Sequence, residues 1–174
     1  MSTEAEAQDH PAGLARRIIE YWAIAGGLVL FAVVFINAFS LVSLIFAGSP
    51  FPGDFEIVEV GVAITVFAFL PYCQLTGSNV TADIFTAGAG PRVLQVLAVL
   101  ASLAATGFAA FLLWRMYGGF LDMRTYRETT AIYQFPLWIA YIPILISLVL
   151  YVIAAAITLV DALKGRVSES GELL

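Results

Sequence analysis

The sequence predicts an all-α integral membrane protein of four transmembrane helices, and three observations lead there. The chain of 174 residues is 61% hydrophobic and only 12% charged, about half the charged fraction of an ordinary soluble domain. Mean hydropathy is +0.93, so the charges cannot cover a water-facing surface and lipid is the expected solvent. Four charge-free stretches, residues 22–46, 60–75, 93–114 and 135–160, reach or approach the roughly 20 apolar residues that cross a hydrocarbon core of about 30 Å.

The first span, 22–46, follows Arg16 and Arg17 as a leader peptide would. Its apolar run exceeds the about 7–15 residues of a cleaved leader, and more spans follow, so a retained anchor is expected. Before it, Leu14, Ile18 and Tyr21 share one helical face, with Arg16, Arg17 and Glu20 between them. That pattern suits a short interfacial N-terminal helix on the inner leaflet, or equally a plain extension of span one. The second span is too short unless residues 55–59 join it. It then covers 55–75, with Glu56 and Glu59 in its first turns, where the helix dipole favours acids. Residues 48–54, with two Gly and two Pro, form a tight connection. Residues 76–92 form a longer polar one, closed by Gly88-Ala89-Gly90-Pro91. After the third span, 93–114, comes the most charged connector, 115–134, with Asp122, Arg124, Arg127 and Glu128. The fourth span, 135–160, opens with Pro136, whose missing N–H costs nothing in a first turn. Pro143 inside that span should kink it unless neighbours satisfy the freed carbonyl. This gives a polar tail at 1–15, a membrane domain at 16–164 and a second polar tail at 165–174.

An even number of spans puts both termini on one side. Arg16, Arg17, Arg92, Lys164 and Arg166 fall on the terminal side, against Arg115, Arg124 and Arg127 on the other. Basic residues near span ends are retained in the cytoplasm, so both termini are expected to be cytoplasmic. The three contrary arginines need an account. The first outer connector offers Asp54, Glu56 and Glu59, and the second offers Asp122 and Glu128. One reading is an outer-rim charge network of these acids with Arg115, Arg124 and Arg127; the other is arginines solvated at the headgroup level.

The composition also excludes classes of function. A net charge of -5 gives no basic footprint for nucleic acid. One cysteine, Cys73, precludes an internal disulfide or multi-cysteine metal site. The only histidine, His10, lies in the polar tail, so the bundle holds no histidine ligand for haem. No nucleophile motif, metalloprotease motif or phosphate loop occurs. No catalytic residue, metal or cofactor is therefore expected, and the lipid bilayer is the surrounding partner.

What the spans do carry is packing chemistry. Ala101, Ala105 and Ala109 recur at helical spacing in the third, and Ala154, Ala155 and Ala156 run together in the fourth. Small side chains let membrane helices approach closely, within the chain or with a partner helix. Asn37, the most polar side chain within a span, is expected to make an interhelical hydrogen bond. Aromatic residues, among them Trp114, Tyr117, Tyr126, Tyr133, Phe135, Trp138 and Tyr141, collect at the outer ends of spans three and four, as an interfacial belt would.

Two connectors carry a resemblance. Arg127-Glu128-Thr129-Thr130 followed by Phe135-Pro136-Leu137-Trp138-Ile139-Ala140-Tyr141 resembles the end of the small membrane subunit, DctQ type, of tripartite ATP-independent periplasmic (TRAP) transporters. That family shows a Thr, here Thr130, and then an apolar-Pro-x-Trp-x-x-Tyr run, here with Pro136, Trp138 and Tyr141. Gly77-Ser78-Asn79-Val80-Thr81-Ala82-Asp83 is similar to a family Gly-x-His-apolar-x-apolar-Asp run, with Asn79 in place of the His and Asp83 matching. Pro91 and Arg92 stand where the family has Pro and Arg before span three. The resemblance covers about residues 16–164. It implies a non-catalytic subunit of a secondary uptake system in the bacterial inner membrane. Its implied partners are a large TRAP membrane subunit, which carries a small organic acid with sodium ions by symport, and a periplasmic substrate-binding protein. The small subunit would scaffold the first and help dock the second. The alternative reading of the residues is a self-contained, homo-oligomeric small transporter.

Overall fold

A computed structural model describes residues 11–77 and 91–164 of the chain. Within them lie four long helices: α1 (Pro11–Ala47), α2 (Asp54–Leu75), α3 (Pro91–Tyr126) and α4 (Leu137–Leu163). All four are long and apolar enough to cross a membrane. The helices outrun two of the expected spans. Residues 11–21 are the first three turns of α1, continuous with the span. Helix α3 runs twelve residues beyond the expected end at Trp114, through Gly118 and Gly119 to Tyr126. Two glycines inside a helix cost about 1 kcal/mol each. Here Gly119 lies against the Tyr141 ring of α4, at 3.2 Å from where its Cβ would be, so the missing side chain lets α3 and α4 close together. Pro71 and Pro143 lie inside α2 and α4, and both helices continue through them.

The helices pack in the order α1, α2, α4, α3, with a lighter contact between α1 and α4. Helix α4 is central: 33% of its most apolar stretch is buried, against 6% for α3. Its Ser147, Leu148, Ala154 and Ala155 are fully buried, so two of the three alanines of the run pack within the chain while Ala156 is exposed. On α3 only Ala109 of the three spaced alanines is buried, and Ala101 is exposed. Helix α1 uses a heptad seam. Gly26, Val29, Val33, Ile36, Ser40 and Ser43 are buried or half-buried, a 3.5-residue period that keeps one stripe facing α2. Small residues set the approach. Ala68 Cβ lies 2.7 Å from where a Cβ on Gly26 would be, and Val33 fills the space above Gly61.

Polar side chains stitch the apolar interior. Trp22 Nε1 donates to Ser147 Oγ at 2.8 Å, and that hydroxyl donates to the Pro143 carbonyl at 2.8 Å. Gln74 Nε2 donates to Thr158 Oγ1 at 3.1 Å, joining α2 to α4. Thr65 Oγ1 donates to its own helix at Gly61 (2.9 Å) and lies 3.4 Å from the Gly26 carbonyl. With no water in the bilayer core, each such bond removes a group that would otherwise be costly. Asn37 does not join them. It is exposed on α1 and has no hydrogen-bond partner among the described residues. The seam faces α2 through positions 33, 36 and 40, which turns residue 37 to its flank.

Candidate partner-docking end of the bundle

The end remote from the termini is built from two connectors that fold onto each other. The first, between α1 and α2, reverses through Gly48 (φ 72) and Gly53 (φ 77), both left-handed conformations that glycine adopts without strain. Ser40 on α1 holds it. Its hydroxyl donates to the Asp54 carboxylate and accepts the Phe51 N–H at 3.1 Å. Asp54 in turn accepts the Phe55 N–H at 2.7 Å.

The second connector, residues 127–136, is a two-rung hairpin. Arg127 ends α3 in a left-handed conformation (φ 52). The Leu137 N–H then donates to the Glu128 carbonyl and the Thr130 N–H to the Phe135 carbonyl, both at 3.0 Å. Thr130 closes the tip a second time, its Oγ1 accepting the Phe135 N–H at 3.1 Å. Pro136 caps α4 from the extended region, where no donor is needed. Trp138 is half-buried in the first turn, and Tyr141 lies on Gly119.

Glu56 joins the two connectors. Its carboxylate accepts the Ile132 N–H at 2.6 Å and the Tyr133 N–H at 3.2 Å. These two donors lie in the hairpin tip, where no strand or helix supplies an acceptor, and a carboxylate offers acceptors only. Tyr133 completes the clamp. Its hydroxyl donates to the Pro52 carbonyl at 2.6 Å, and its ring fills the space that a side chain on Gly53 would need.

The candidate residues therefore separate into two sets. Glu56, Thr130, Pro136 and Tyr141 build the cap. Arg115 and Arg124 on α3, Arg127 at its end and Glu128 after it are exposed. Among the described residues none of the three arginines pairs with an acid; an ion pair, Arg16 with Asp161, stands at the other end. The expected pairing of Arg115 with Glu56 or Glu59 is thus replaced by the Glu56–loop clamp. The reason is topological: α4 packs against both α2 and α3, so Arg115 does not stand beside the first turns of α2. Glu59 is exposed on α2, while Asn79 and Asp83 lie outside the described residues. Arg92 falls in the first turn of α3.

Trp22, Ser40, Ser147 and Tyr133 were not singled out by sequence reasoning as bonding residues. Isolated hydroxyls in apolar runs were the only signal for Ser40 and Ser147, and such hydroxyls bond their own helix as readily as another.

The family model for the DctQ component of tripartite ATP-independent periplasmic transporters matches residues 34–165, most of the chain. The chain belongs to this family. It is a TRAP transporter small membrane subunit, a multi-pass membrane protein. No curated protein and no solved structure matches it individually. The DctQ match begins within α1 and takes in both connectors of the distal cap and the whole of α4. Membership in this family implies, in general, partnership with a large membrane subunit and a binding protein.

Proposed function

We propose that this DctQ subunit is a non-catalytic scaffold for the large TRAP subunit in the bacterial inner membrane, and that its distal cap helps dock the periplasmic binding protein during uptake of a small organic acid by symport. Both termini then lie in the cytoplasm and the cap in the periplasm, as the Arg/Lys distribution favours. The observation that carries the reading is the distal cap itself. Its loops are held by Glu56, Thr130 and Tyr133, while Arg124 and Arg127 stand exposed beside them without acidic partners among the described residues. Unpaired surface arginines on a fixed platform steer an acidic partner and set its on-rate more than its final affinity.

The test is uptake by the complete transporter carrying Arg124→Ala with Arg127→Ala. Assembly should be unchanged and the uptake rate lower, by about 10-fold at low ionic strength, with the difference shrinking as salt screens the wild type. Wild-type uptake at every ionic strength would end the docking role. Orientation is checked by labelling a cysteine placed at Ser168 in a Cys73→Ala background; labelling from the periplasm in intact cells contradicts cytoplasmic termini.

A further inference from the structure

Among the described residues helix α2 leaves one face without a partner, and that face carries a carboxylate. Gly61, Thr65, Ala68 and Pro71 are buried against the neighbouring helices. Phe55, Glu59, Val62 and Val66 line the open side as one stripe, at spacings of four, three and four. Phe55 is 74% exposed and Val66 55%. Glu56 and Glu59 are one turn apart and differ in their surroundings. Glu56 has two N–H donors from the hairpin tip, and Glu59 has no partner among the described residues.

The length of α2 fixes where Glu59 sits. Beyond it the helix has only residues 60–75 before its end, roughly 24 Å at 1.5 Å per residue, less than a hydrocarbon core of about 30 Å. With Leu75 at the opposite edge, Glu59 falls roughly 6 Å inside the hydrocarbon. Ionisable groups at such depth pair with one another or face a protein interior, and Glu59 does neither among the described residues. Asn37 stands at nearly the same depth. The contacts of Gly26 with Ala68, Val33 with Gly61 and Ser40 with Asp54 put α1 and α2 in one antiparallel register, which sets Asn37 level with Ile57. An unpaired carboxylate and an unpaired amide at one level call for hydrogen-bond donors that acyl chains do not have.

We infer that the Phe55–Glu59–Val62–Val66 stripe of α2 seats a membrane-spanning helix of the large subunit, and that this helix presents a basic side chain to Glu59. The inference rests on the assembly proposed above and names the face and the chemistry of that contact. A second copy of this chain fits the stripe poorly, because a twofold contact there would bring two Glu59 carboxylates together.

The experiment uses the whole complex, with the large subunit co-expressed and a tag on this chain. If the wild-type chain recovers no large subunit from mild detergent, the assembly reading fails and the inference falls with it. If the wild type recovers it, Glu59→Leu and Val62→Trp should each lower the recovery by about tenfold or more, the cost of unpairing a charge or blocking a helix contact. Glu59→Gln, which keeps an acceptor, should lower it less. Each variant expressed alone should elute from size exclusion as the wild type does, which separates a lost contact from a lost fold. A photo-cross-linker at Val62 should join this chain to the large subunit. Normal recovery with both Glu59→Leu and Val62→Trp overturns the inference while leaving the assembly intact. Cross-linking at Val62 to a second copy of this chain, or to lipid alone, overturns it as well.

Discussion

At the distal end one carboxylate, Glu56, meets two backbone N–H groups of a loop 76 residues away in sequence. At the terminal end another, Asp161, meets the guanidinium of Arg16 at 3.0 Å, and the Arg16 side chain is half exposed. The two contacts look alike as pairings of a carboxylate with N–H donors, but what happens when each is broken differs. Water and ions can replace a guanidinium for Asp161, so an exposed pair contributes little. The two loop N–H groups are also within reach of water, but they are fixed by the hairpin that contains them, so Glu56 sets where the loop rests on α2. The docking role proposed for the cap would need the second kind of contact; a link between α1 and α4 can use the first.

Substitution at Gly53 should break the contrast most strongly. The residue holds φ 77, and a Cβ would run into the Tyr133 ring. A left-handed conformation costs a side-chain-bearing residue about 1–2 kcal/mol, and overpacking adds about 1–3 kcal/mol. Gly53→Ala is expected to destabilise the detergent-solubilised protein by about 2–5 kcal/mol in a denaturant titration. Gly48→Ala is the sharper comparison, because Gly48 has φ 72 and open space around it; it should lose only the backbone part, about 1–2 kcal/mol. Equal losses would mean that the Tyr133 contact contributes nothing.

Glu56→Ala comes next. It removes the acceptor for Ile132 and Tyr133 while α2 stays intact, so limited proteolysis should cut within residues 127–136 faster than in the wild type and elsewhere at the same rate. Glu56→Gln keeps one acceptor oxygen and should fall between. Unchanged cleavage in Glu56→Ala would show that the hairpin is held by its own rungs and by Tyr133. Tyr133→Phe tests that last contact: it deletes only the hydroxyl bonded to the Pro52 carbonyl, with an expected loss of about 0.5–1.5 kcal/mol and a modest increase in the same cleavage.

The contrast between the ends also explains what could be read in advance. Four spans follow from counting apolar residues against bilayer thickness, and α2 and α4 fall within a few residues of their expected limits. Helix α3 does not, because counting stops at Arg115 while the backbone continues for three more turns; a helix leaving the membrane changes its solvent, not its hydrogen bonding. The seam of α1 was invisible for a related reason. Its outward residues Phe31 and Phe35 are as apolar as its inward ones, so the faces carry no contrast to read. At the cap, Glu56 and Thr130 were named as candidates, the first from charge and the second from the family resemblance. Charge counting offers Glu56 an arginine in one of its two readings, whereas its donors are backbone N–H groups, which no residue type announces. The pairing of Arg16 with Asp161 is not legible in the sequence, because the two lie 145 positions apart and both fall outside the apolar spans.

The smallest expected effect belongs to that pair. Side-chain exposures of 51% for Arg16 and 33% for Asp161 leave both groups in reach of water, and pairs so placed contribute about 0–1 kcal/mol. Arg16→Ala, Asp161→Ala and the double substitution form a cycle whose coupling energy should stay below about 1 kcal/mol and shrink further in high salt. A helix terminus gives a reason for some coupling to persist. Arg16 belongs to α1 and lies near the last turn of α4, where unsatisfied carbonyls favour a positive charge with or without Asp161. Arg16→Ala should therefore cost slightly more than Asp161→Ala. A coupling of about 3 kcal/mol, the size for breaking a buried pair, would mean that the terminal end is shielded from water in the membrane, and would erase the difference between the two ends.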